Sequence, residues 1–266
     1  MVIITGWGMP LFADWCDCAR KDTGRKQLLK YSQKVGGRAV ISASLPTVLR
    51  SHYDDARRIA DDVAQLGYTK AASLLAERMP RTKTARSGEL GEVLATELVE
   101  ESLDYQVPVR RLRYKDGREM ALRGDDFIGV RRETDGGLRF AKGESKSRAN
   151  LGKTTIAEAR TVLSRDAGRP TPTSILFVAD RLMDQGGDQE ALGRAIRNEV
   201  AIRAVPPERI EHILFTISAN GAPQALTDDL AAASNDRPHT AIHVCVPDHQ
   251  DFIKSSYEEA LKLGDD

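Results

Sequence analysis

Apolar residues recur at helical spacing in two neighbouring stretches of the first 80 residues. In the stretch that begins at His52, they are three to four positions apart among charged residues (Ile59, Val63 and Leu66). Gly67 is a suitable stop for that helix, and a second helix is predicted over residues 69–79, just before Pro80. We expect the two helices to form a hairpin.

The chain before this hairpin is predicted to be mixed and irregular. Residues 38–45 are interpreted as a strand that ends at Pro46, because proline lacks the amide hydrogen that strand pairing needs. The polar and basic residues 80–88 are interpreted as a linker. These features predict an N-terminal mixed and helical subdomain over residues 1–80 and a second domain over residues 81–266.

The second domain begins with one helix and a series of alternating segments. Ser87 can cap the helix, and an apolar stripe follows it (Leu90, Val93, Leu94, Leu98 and Val99). Residues 106–114, 119–131 and 138–146 are predicted to form three strands, because apolar residues alternate there between turns that contain Asp and Gly. This order indicates a helix followed by a three-strand meander.

The rest of the chain alternates between helices and strands. A capping box from Thr155 to Glu158 marks the start of the next helix. The predicted helices cover residues 154–167, 188–204 and 248–263, and the predicted strands cover residues 174–179, 210–217 and 240–246. A meander followed by a helical crossover predicts an α/β fold with a mixed sheet flanked by helices.

Composition restricts the function classes. The chain has 266 residues, 41% of them hydrophobic and 29% charged, as is typical of soluble globular proteins. Its formal net charge is zero, so any attraction to nucleic acid must come from a local patch. Only three cysteines are present, and we see neither a signal peptide nor an apolar run long enough for a membrane span. We therefore expect a cytoplasmic protein.

The predicted third strand carries charged residues that suit phosphodiester chemistry. Glu144 and Lys146 are two residues apart, so a strand places both side chains on one face. Asp126 lies on the preceding strand and can lie close to Glu144 across the sheet. Carboxylates can hold a hard divalent cation, and a lysine can stabilise an attacking water or developing negative charge.

A further carboxylate can come from the helix that begins near Ser87. Glu89 and Glu92 are three residues apart and share one helix face, so either could complete the metal shell. We favour Glu92 because it lies deeper in the helix beside the apolar stripe. Mg²⁺ is the expected ion, with Mn²⁺ as an alternative, because all proposed ligands are oxygens. The competing interpretation is that these charged side chains simply lie on a solvent-exposed surface and have no catalytic role.

The order of these motifs resembles the PD-(D/E)XK nuclease superfamily, which shares an αβββαβ core. Asp126, which is followed by Phe and Ile, matches the aspartate of that motif. Glu144-Ser-Lys146 matches its (D/E)-x-K. The proline of the motif is missing, because Gly124 and Asp125 precede Asp126. This departure leaves open which aspartate binds metal, and we favour Asp126 because it directly precedes the apolar run.

A narrower resemblance rests on the sequences GELGE, GDDFIGV and GESKSR, at residues 88–92, 124–130 and 143–148. Together they resemble the HamA family, the nuclease subunits of the Hachiman anti-phage defence system, over roughly residues 88–180. The resemblance implies a bacterial defence DNase that acts with a superfamily 2 helicase subunit, HamB. It also implies that the helicase holds the nuclease inactive until foreign or damaged DNA is engaged.

Basic residues are concentrated on both sides of these motifs. Residues 107–123 contain six basic and two acidic residues, and residues 138–153 contain five basic and one acidic. This local charge indicates contact with a nucleic-acid backbone, and the predicted contact residues are Arg110, Arg111, Arg148 and Lys153. The alternative is a sheet edge that is protected by charge.

Two other functions stay open at this point. The chain could be a catalytically inactive nucleic-acid-binding or regulatory subunit that keeps a nuclease fold. It could also be a nuclease that acts on RNA, because nothing in the sequence distinguishes the sugar.

Overall fold

A mixed sheet of six strands organises the protein, which is described from a computed structural model over residues 10–120, 122–202 and 205–262. The strands are β1 (Cys16–Thr23), β2 (Lys26–Gln33), β3 (Phe127–Arg132), β4 (Leu138–Ser147), β5 (Ile210–Ser218) and β6 (His239–Cys245). Their order in the sheet is β1-β2-β6-β5-β4-β3. The four inner strands run parallel, and the edge strands β1 and β3 are antiparallel to their neighbours.

Helices cover both faces of this sheet. They are α1 (Leu11–Trp15), α2 (Gly37–Tyr53), α3 (Ala56–Leu66), α4 (Tyr68–Arg78), α5 (Lys83–Ser102), α6 (Lys153–Ser164), α7 (Pro172–Met183), α8 (Gly187–Ile202), α9 (Gln224–Ala232) and α10 (His249–Ala260). On one face, α1, α2, α5 and α10 form a core with Phe127, Phe215 and Val244. The other face carries α6 and α9 over Leu214, and α7 and α8 against Phe140.

Much of the predicted order is confirmed. The hairpin of α3 and α4, the helices α8 and α10 and the strands β4, β5 and β6 all lie where the periodicity places them. The apolar stripe of α5 is buried as predicted. The predicted helix ends at residues 204 and 263, and the first residues examined for a signal peptide, lie outside the described residues.

The predicted strand over residues 38–45 is wrong, because α2 passes through this stretch and continues beyond Pro46. Ile41, Leu45, Leu49 and Tyr53 are spaced by four and are fully buried. Burial of this helical stripe therefore outweighs the amide hydrogen bond that Pro46 cannot make.

The predicted first strand of the meander, residues 106–114, is also wrong. It contributes one isolated bridge, between Gln106 and Val130, followed by a 3-10 turn at Arg111–Tyr114. Pro108 cannot donate to a ladder, and Arg110 folds back onto the carbonyl of Val107 at 2.9 Å. The second predicted strand is shorter than expected, because regular pairing begins only at Phe127.

The predicted strand over residues 174–179 lies inside α7. Thr171 caps this helix by accepting a hydrogen bond from the amide of Ser174 at 3.3 Å, and Pro172 is its first residue. On the side of β4 that does not pair with β3, the neighbouring strand is β5, which runs parallel to β4. The core order is therefore α5-β3-β4-α6-β5, with α7 and α8 inserted before β5.

Helix caps also differ from the sequence prediction. Thr82, rather than Ser87, caps α5 by accepting a hydrogen bond from the amide of Ala85. Gly152 precedes α6, and no side chain caps it, so the predicted capping box at Thr155 does not form. Helix α9 was not predicted.

The predicted boundary between residues 80 and 81 falls between α4 and α5. Strands β1 and β2 precede this boundary and belong to the same sheet as the later strands. Phe12 and Trp15 lie in the same core as Val93 of α5. Within the described ranges, we find no helix with the length and apolar character needed to cross a membrane.

Gly143→Ala is expected to destabilise the fold, because the new methyl group would overlap the ring of Phe127 on the paired strand. Overpacking of this kind costs about 1–3 kcal/mol or more. The matched control is Gly88→Ala in α5, where no atom lies within 4 Å of the added methyl group. That change should stabilise the helix by about 0.5–1 kcal/mol. Urea unfolding followed by circular dichroism measures both, and equal stability of the two variants would contradict the packing argument.

Candidate active site

The pairing of β3 with β4 brings Asp126 and Glu144 together. Phe127 pairs with Gly143 in the antiparallel register, so the preceding residue, Asp126, lies opposite Glu144. The amide of Asp126 extends this ladder by donating to the carbonyl of Gly143 at 3.1 Å. The structure thus places these two predicted residues side by side.

Glu144 and Lys146 share one face of β4, as the strand period predicts. Their side chains form an ion pair between Lys146 Nζ and Glu144 Oε1. Glu144 is buried, with 4% of its surface exposed, whereas the Lys146 side chain keeps 20% of its surface exposed. The Lys146 side chain is therefore partly accessible to solvent, whereas the carboxylate with which it pairs is largely buried.

Helix α5 brings Glu92 towards the same group. Gly91 allows the close approach, because a side chain there would contact Ser147 Cβ at 3.3 Å. Burial raises the pKa of Glu92 well above its usual value, and the nearby charges of Asp126, Glu89 and Glu144 raise it further. Arg111 opposes this shift. Glu92 is thus electrostatically part of the group formed by Asp126 and Glu144.

The other two carboxylates show the same effect. Burial and then the charge of Asp126 raise the pKa of Glu144 to about 7, although Lys146 opposes the shift. Burial also raises the pKa of Asp126, against the hydrogen bond from the Ser145 amide and the charges of Lys146 and Arg111. Like charges in a partly desolvated site disfavour ionisation, so this group would be stabilised by a bound cation.

Glu89 occupies a different environment. It is buried and accepts hydrogen bonds from the hydroxyl of Tyr53 at 2.6 Å and from Lys115. The Tyr53 hydroxyl also hydrogen-bonds the hydroxyl of Tyr257 at 2.8 Å. These contacts connect α5 to α2 and α10, so the geometry favours Glu92 over Glu89 as a candidate metal ligand.

Asp125 is engaged by other partners, although its charge also contributes to the raised pKa of Glu144. Its Oδ2 accepts a hydrogen bond from the amide of Thr171 at 2.7 Å. Its Oδ1 lies 3.6 Å from the ammonium of Lys142, which is fully buried. Because Asp125 is engaged on this side, the structure favours Asp126 as the aspartate of the candidate site.

Comparison with known proteins gives the family. The HamA family model matches residues 9–260, which is almost the whole chain. The chain belongs to the HamA family. A curated relative, the Hachiman protein HamA of Bacillus cereus, is 26% identical over 181 residues. The match covers 68% of this chain and 63% of that relative, so it spans less than two thirds of the relative's length.

The carboxylates of this HamA-family chain fit a hard divalent cation in their chemistry, because all three offer oxygen ligands. Within residues 10–120, 122–202 and 205–262, however, no three or more His, Cys, Asp or Glu side chains are arranged to hold a metal. Glu144 is engaged by Lys146, and Asp126 is engaged by Ser145. The side chains would therefore have to converge further to hold an ion.

The predicted nucleic-acid contacts divide into two pairs. Arg148 and Lys153 are exposed, at the end of β4 and the start of α6. Arg110 is mostly buried and forms ion pairs with Glu100 and Glu97 at 2.5 and 3.2 Å. This pairing makes Arg110 a structural residue in the HamA-family fold rather than part of a free basic surface.

Arg111 is likewise unsuited to a surface contact. It is buried and donates to the backbone carbonyls of Asp125 and Arg123. These bonds fix the segment that leads to Asp126, so Arg111 supports the candidate site from within. The positive charge of Arg111 also opposes the rise in the pKa of Asp126.

A cavity of about 330 Å³ lies elsewhere in the protein. Its lining includes Arg160, His212, Arg237 and His239. None of the predicted site residues lines it, so it does not contribute to the candidate active site.

Ser145 is the contributor that sequence reasoning missed. Strand alternation points its side chain away from Glu144 and Lys146, yet its amide and hydroxyl both bond Asp126. Its position between the glutamate and lysine of the motif was the available signal. The role of Lys115 at Glu89 had no comparable signal, because the two residues are 26 positions apart.

The raised pKa of Glu144 predicts a pH-dependent stability. The folded state binds this proton more tightly than the unfolded state, so stability should fall as pH rises from about 4.5 to about 7. The loss is on the order of 1–3 kcal/mol. In buffer with EDTA, Glu144→Gln should therefore show a smaller fall in unfolding free energy between pH 5 and pH 8.

Glu158→Gln is the matched control, because Glu158 is exposed on α6. Urea unfolding at several pH values provides the measurement. If Glu144→Gln and the wild type lose stability equally over this range, the buried carboxylate of Glu144 is not the source of the effect.

Proposed function

We propose that this HamA-family protein is a metal-dependent nuclease that hydrolyses phosphodiester bonds in DNA. The observation that carries the proposal is the group of three carboxylates beside one lysine. Glu92 comes from α5, Asp126 directly precedes β3, and Glu144 lies on β4. Burial raises the pKa of all three, and the charge of Asp126 raises the pKa of Glu92 and Glu144 further. A fold has little structural reason to place such charges together, so their proximity supports a catalytic role.

In this proposal Asp126, Glu144 and Glu92 hold a divalent cation, with Mg²⁺ preferred and Mn²⁺ as an alternative. When bound, the metal supplies an acidified water and neutralises negative charge on the scissile phosphate. Lys146 holds its ammonium at the solvent side of Glu144, where it can donate to an attacking water or a phosphate oxygen. Burial of Glu144 excludes water from one side of the site.

Substrate contact is proposed for the two exposed basic residues. Arg148 follows β4 immediately after Ser147, and Lys153 is the first residue of α6. A helix N-terminus provides free amides that favour a phosphate, which adds to the lysine charge. Such contacts bind the backbone without reading sequence, and RNA remains an alternative substrate.

We also propose that the protein acts in the bacterial cytoplasm, in Hachiman anti-phage defence, with a superfamily 2 helicase subunit like HamB. Support comes from membership of the HamA family and from the curated relative, which is named a Hachiman protein. The zero net charge is consistent with this proposal, because a neutral chain has little long-range attraction for DNA by itself. A partner could deliver the substrate.

A second candidate function is a nucleic-acid-binding or regulatory subunit without catalysis. One observation favours it: in the described part of the chain, the carboxylates do not form a ready group of metal ligands. The ion pair between Glu144 and Lys146 would then be a structural contact rather than a catalytic one.

Cleavage of plasmid DNA separates the two functions. The assay uses supercoiled, linear and single-stranded DNA with Mg²⁺, Mn²⁺ or EDTA, for the protein alone and with any helicase that is encoded beside it. Glu144→Gln and Lys146→Met should each lower the rate about 100-fold or more, because each removes a charge from the reacting group. Lys254→Met is the control, since Lys254 is exposed on α10.

Cleavage that is unchanged in Glu144→Gln and Lys146→Met would contradict the proposed site. DNA binding by the wild type without cleavage under any metal or helicase condition would instead support the regulatory function.

The combined variant Arg148→Ala and Lys153→Ala is expected to weaken DNA binding. Each lost phosphate contact should reduce the slope of log affinity against log salt by about 0.7–0.9. Fluorescence anisotropy over a salt series measures this slope. Arg57→Ala with Lys70→Ala is the matched control, because both residues are exposed on the hairpin of α3 and α4. Equal slopes for the two double variants would rule out the proposed contact surface.

A further inference from the structure

Ser145 lies between Glu144 and Lys146 and makes two hydrogen bonds to one atom. Its amide donates to Asp126 Oδ2 at 2.7 Å, and its hydroxyl donates to the same oxygen at 3.1 Å. The other oxygen, Oδ1, receives no hydrogen bond from the residues that the structure describes. Ser145 therefore fixes one carboxylate oxygen of Asp126 and leaves the other oxygen, Oδ1, available.

The surroundings direct the Ser145 hydroxyl to Asp126. Ser145 is buried, with 7% of its surface exposed, and Gly91 of α5 packs above it. A Cβ added at Gly91 would lie 3.5 Å from Ser145 Oγ, in van der Waals contact, so α5 covers this hydroxyl. Across the described ranges, Asp126 is the hydrogen-bond partner of this hydroxyl.

Asp126 needs such a contact because it precedes the regular strand. Its amide bonds Gly143 at 3.1 Å, which fixes the backbone, but the terminal torsion of an aspartate side chain has a broad, shallow preference. A donor from the neighbouring strand can remove that freedom. Hydrogen bonds to a metal-binding carboxylate orient it, and their loss typically weakens metal binding 10–100-fold.

We propose that Ser145 is a positioning residue, whose hydroxyl holds Asp126 Oδ2 so that Oδ1 is the oxygen presented to the divalent cation. This inference rests on the proposed function, since it concerns the same site. It assigns a role to the middle residue of the Glu-x-Lys motif, which strand alternation alone places on the opposite side of the sheet.

Ser147 provides a matched control on the same strand and the same face. Its hydroxyl bonds Ser87 Oγ and His249 Nε2, both at 2.9 Å, and has no contact with Asp126. Removing either hydroxyl therefore deletes one buried oxygen beside α5. Only the removal at Ser145 changes the support of Asp126.

The experiment measures Mn²⁺ binding by isothermal titration calorimetry on the full chain without DNA. Ser145→Ala should weaken binding about 10-fold, and Ser145→Thr, which restores a hydroxyl, should bind more tightly than Ser145→Ala. Ser147→Ala should bind like the wild type. Thermal unfolding of the metal-free proteins gives a second readout, in which Ser145→Ala should lose no more stability than Ser147→Ala. If cleavage occurs, excess Mn²⁺ should restore the rate of Ser145→Ala.

Wild-type Mn²⁺ affinity in Ser145→Ala would overturn the inference and leave the proposed function intact. Equal weakening in Ser145→Ala and Ser147→Ala would also overturn it, because the effect would then be one of packing. If the wild type binds no Mn²⁺, the proposed function fails and the inference fails with it.

Discussion

The antiparallel pairing of Phe127 with Gly143 is the constraint on which the candidate site depends. It sets the register that places Asp126 opposite Glu144, and a slip of one residue would remove Asp126 from this position. Gly143 permits this pairing because its missing side chain makes room for the ring of Phe127. A packing requirement in the sheet therefore fixes the distance between two charged groups.

The same arrangement opposes stability. Glu92, Asp126 and Glu144 form a partly desolvated group, and desolvation raises the pKa of all three side chains. Keeping these carboxylates ionised away from water therefore costs free energy of folding. Lys146, Arg111 and the donors of Ser145 offset part of this cost. The fold thus stabilises a charged cluster through a small number of specific contacts.

The basic residues show how a charge pattern can mislead. Residues 107–123 contain six basic side chains, yet five of them make contacts within the protein, including Arg113, which donates to the carbonyl of Ser51. Arg110 and Lys115 pair with glutamates, Arg111 binds backbone carbonyls, and Arg118 pairs with Glu77. Much of the positive charge that predicted a nucleic-acid surface therefore holds an irregular segment in place. Arg148 and Lys153 remain exposed beside the site.

The candidate site was easier to predict than the fold around it. The positions of Glu144 and Lys146 follow from the period of one strand, and Asp126 follows from one antiparallel pairing. Residues 174–179 lie in a helix rather than in the predicted strand, because a short apolar run has no clear period. Thr171 and Pro172 are nevertheless a helix start signal. The contacts of Glu89 with Tyr53 and Lys115 join distant segments, which a local pattern does not reveal.

The central claim is that Glu92, Asp126 and Glu144 form one metal centre. Anomalous diffraction from crystals grown with Mn²⁺ tests it most directly, with Glu144→Gln crystals as the comparison. We predict a manganese peak about 2.0–2.3 Å from carboxylate oxygens of these three residues, weakened or lost in the variant. A fully occupied Mn²⁺ bound elsewhere, with no peak among these three side chains, would contradict the account.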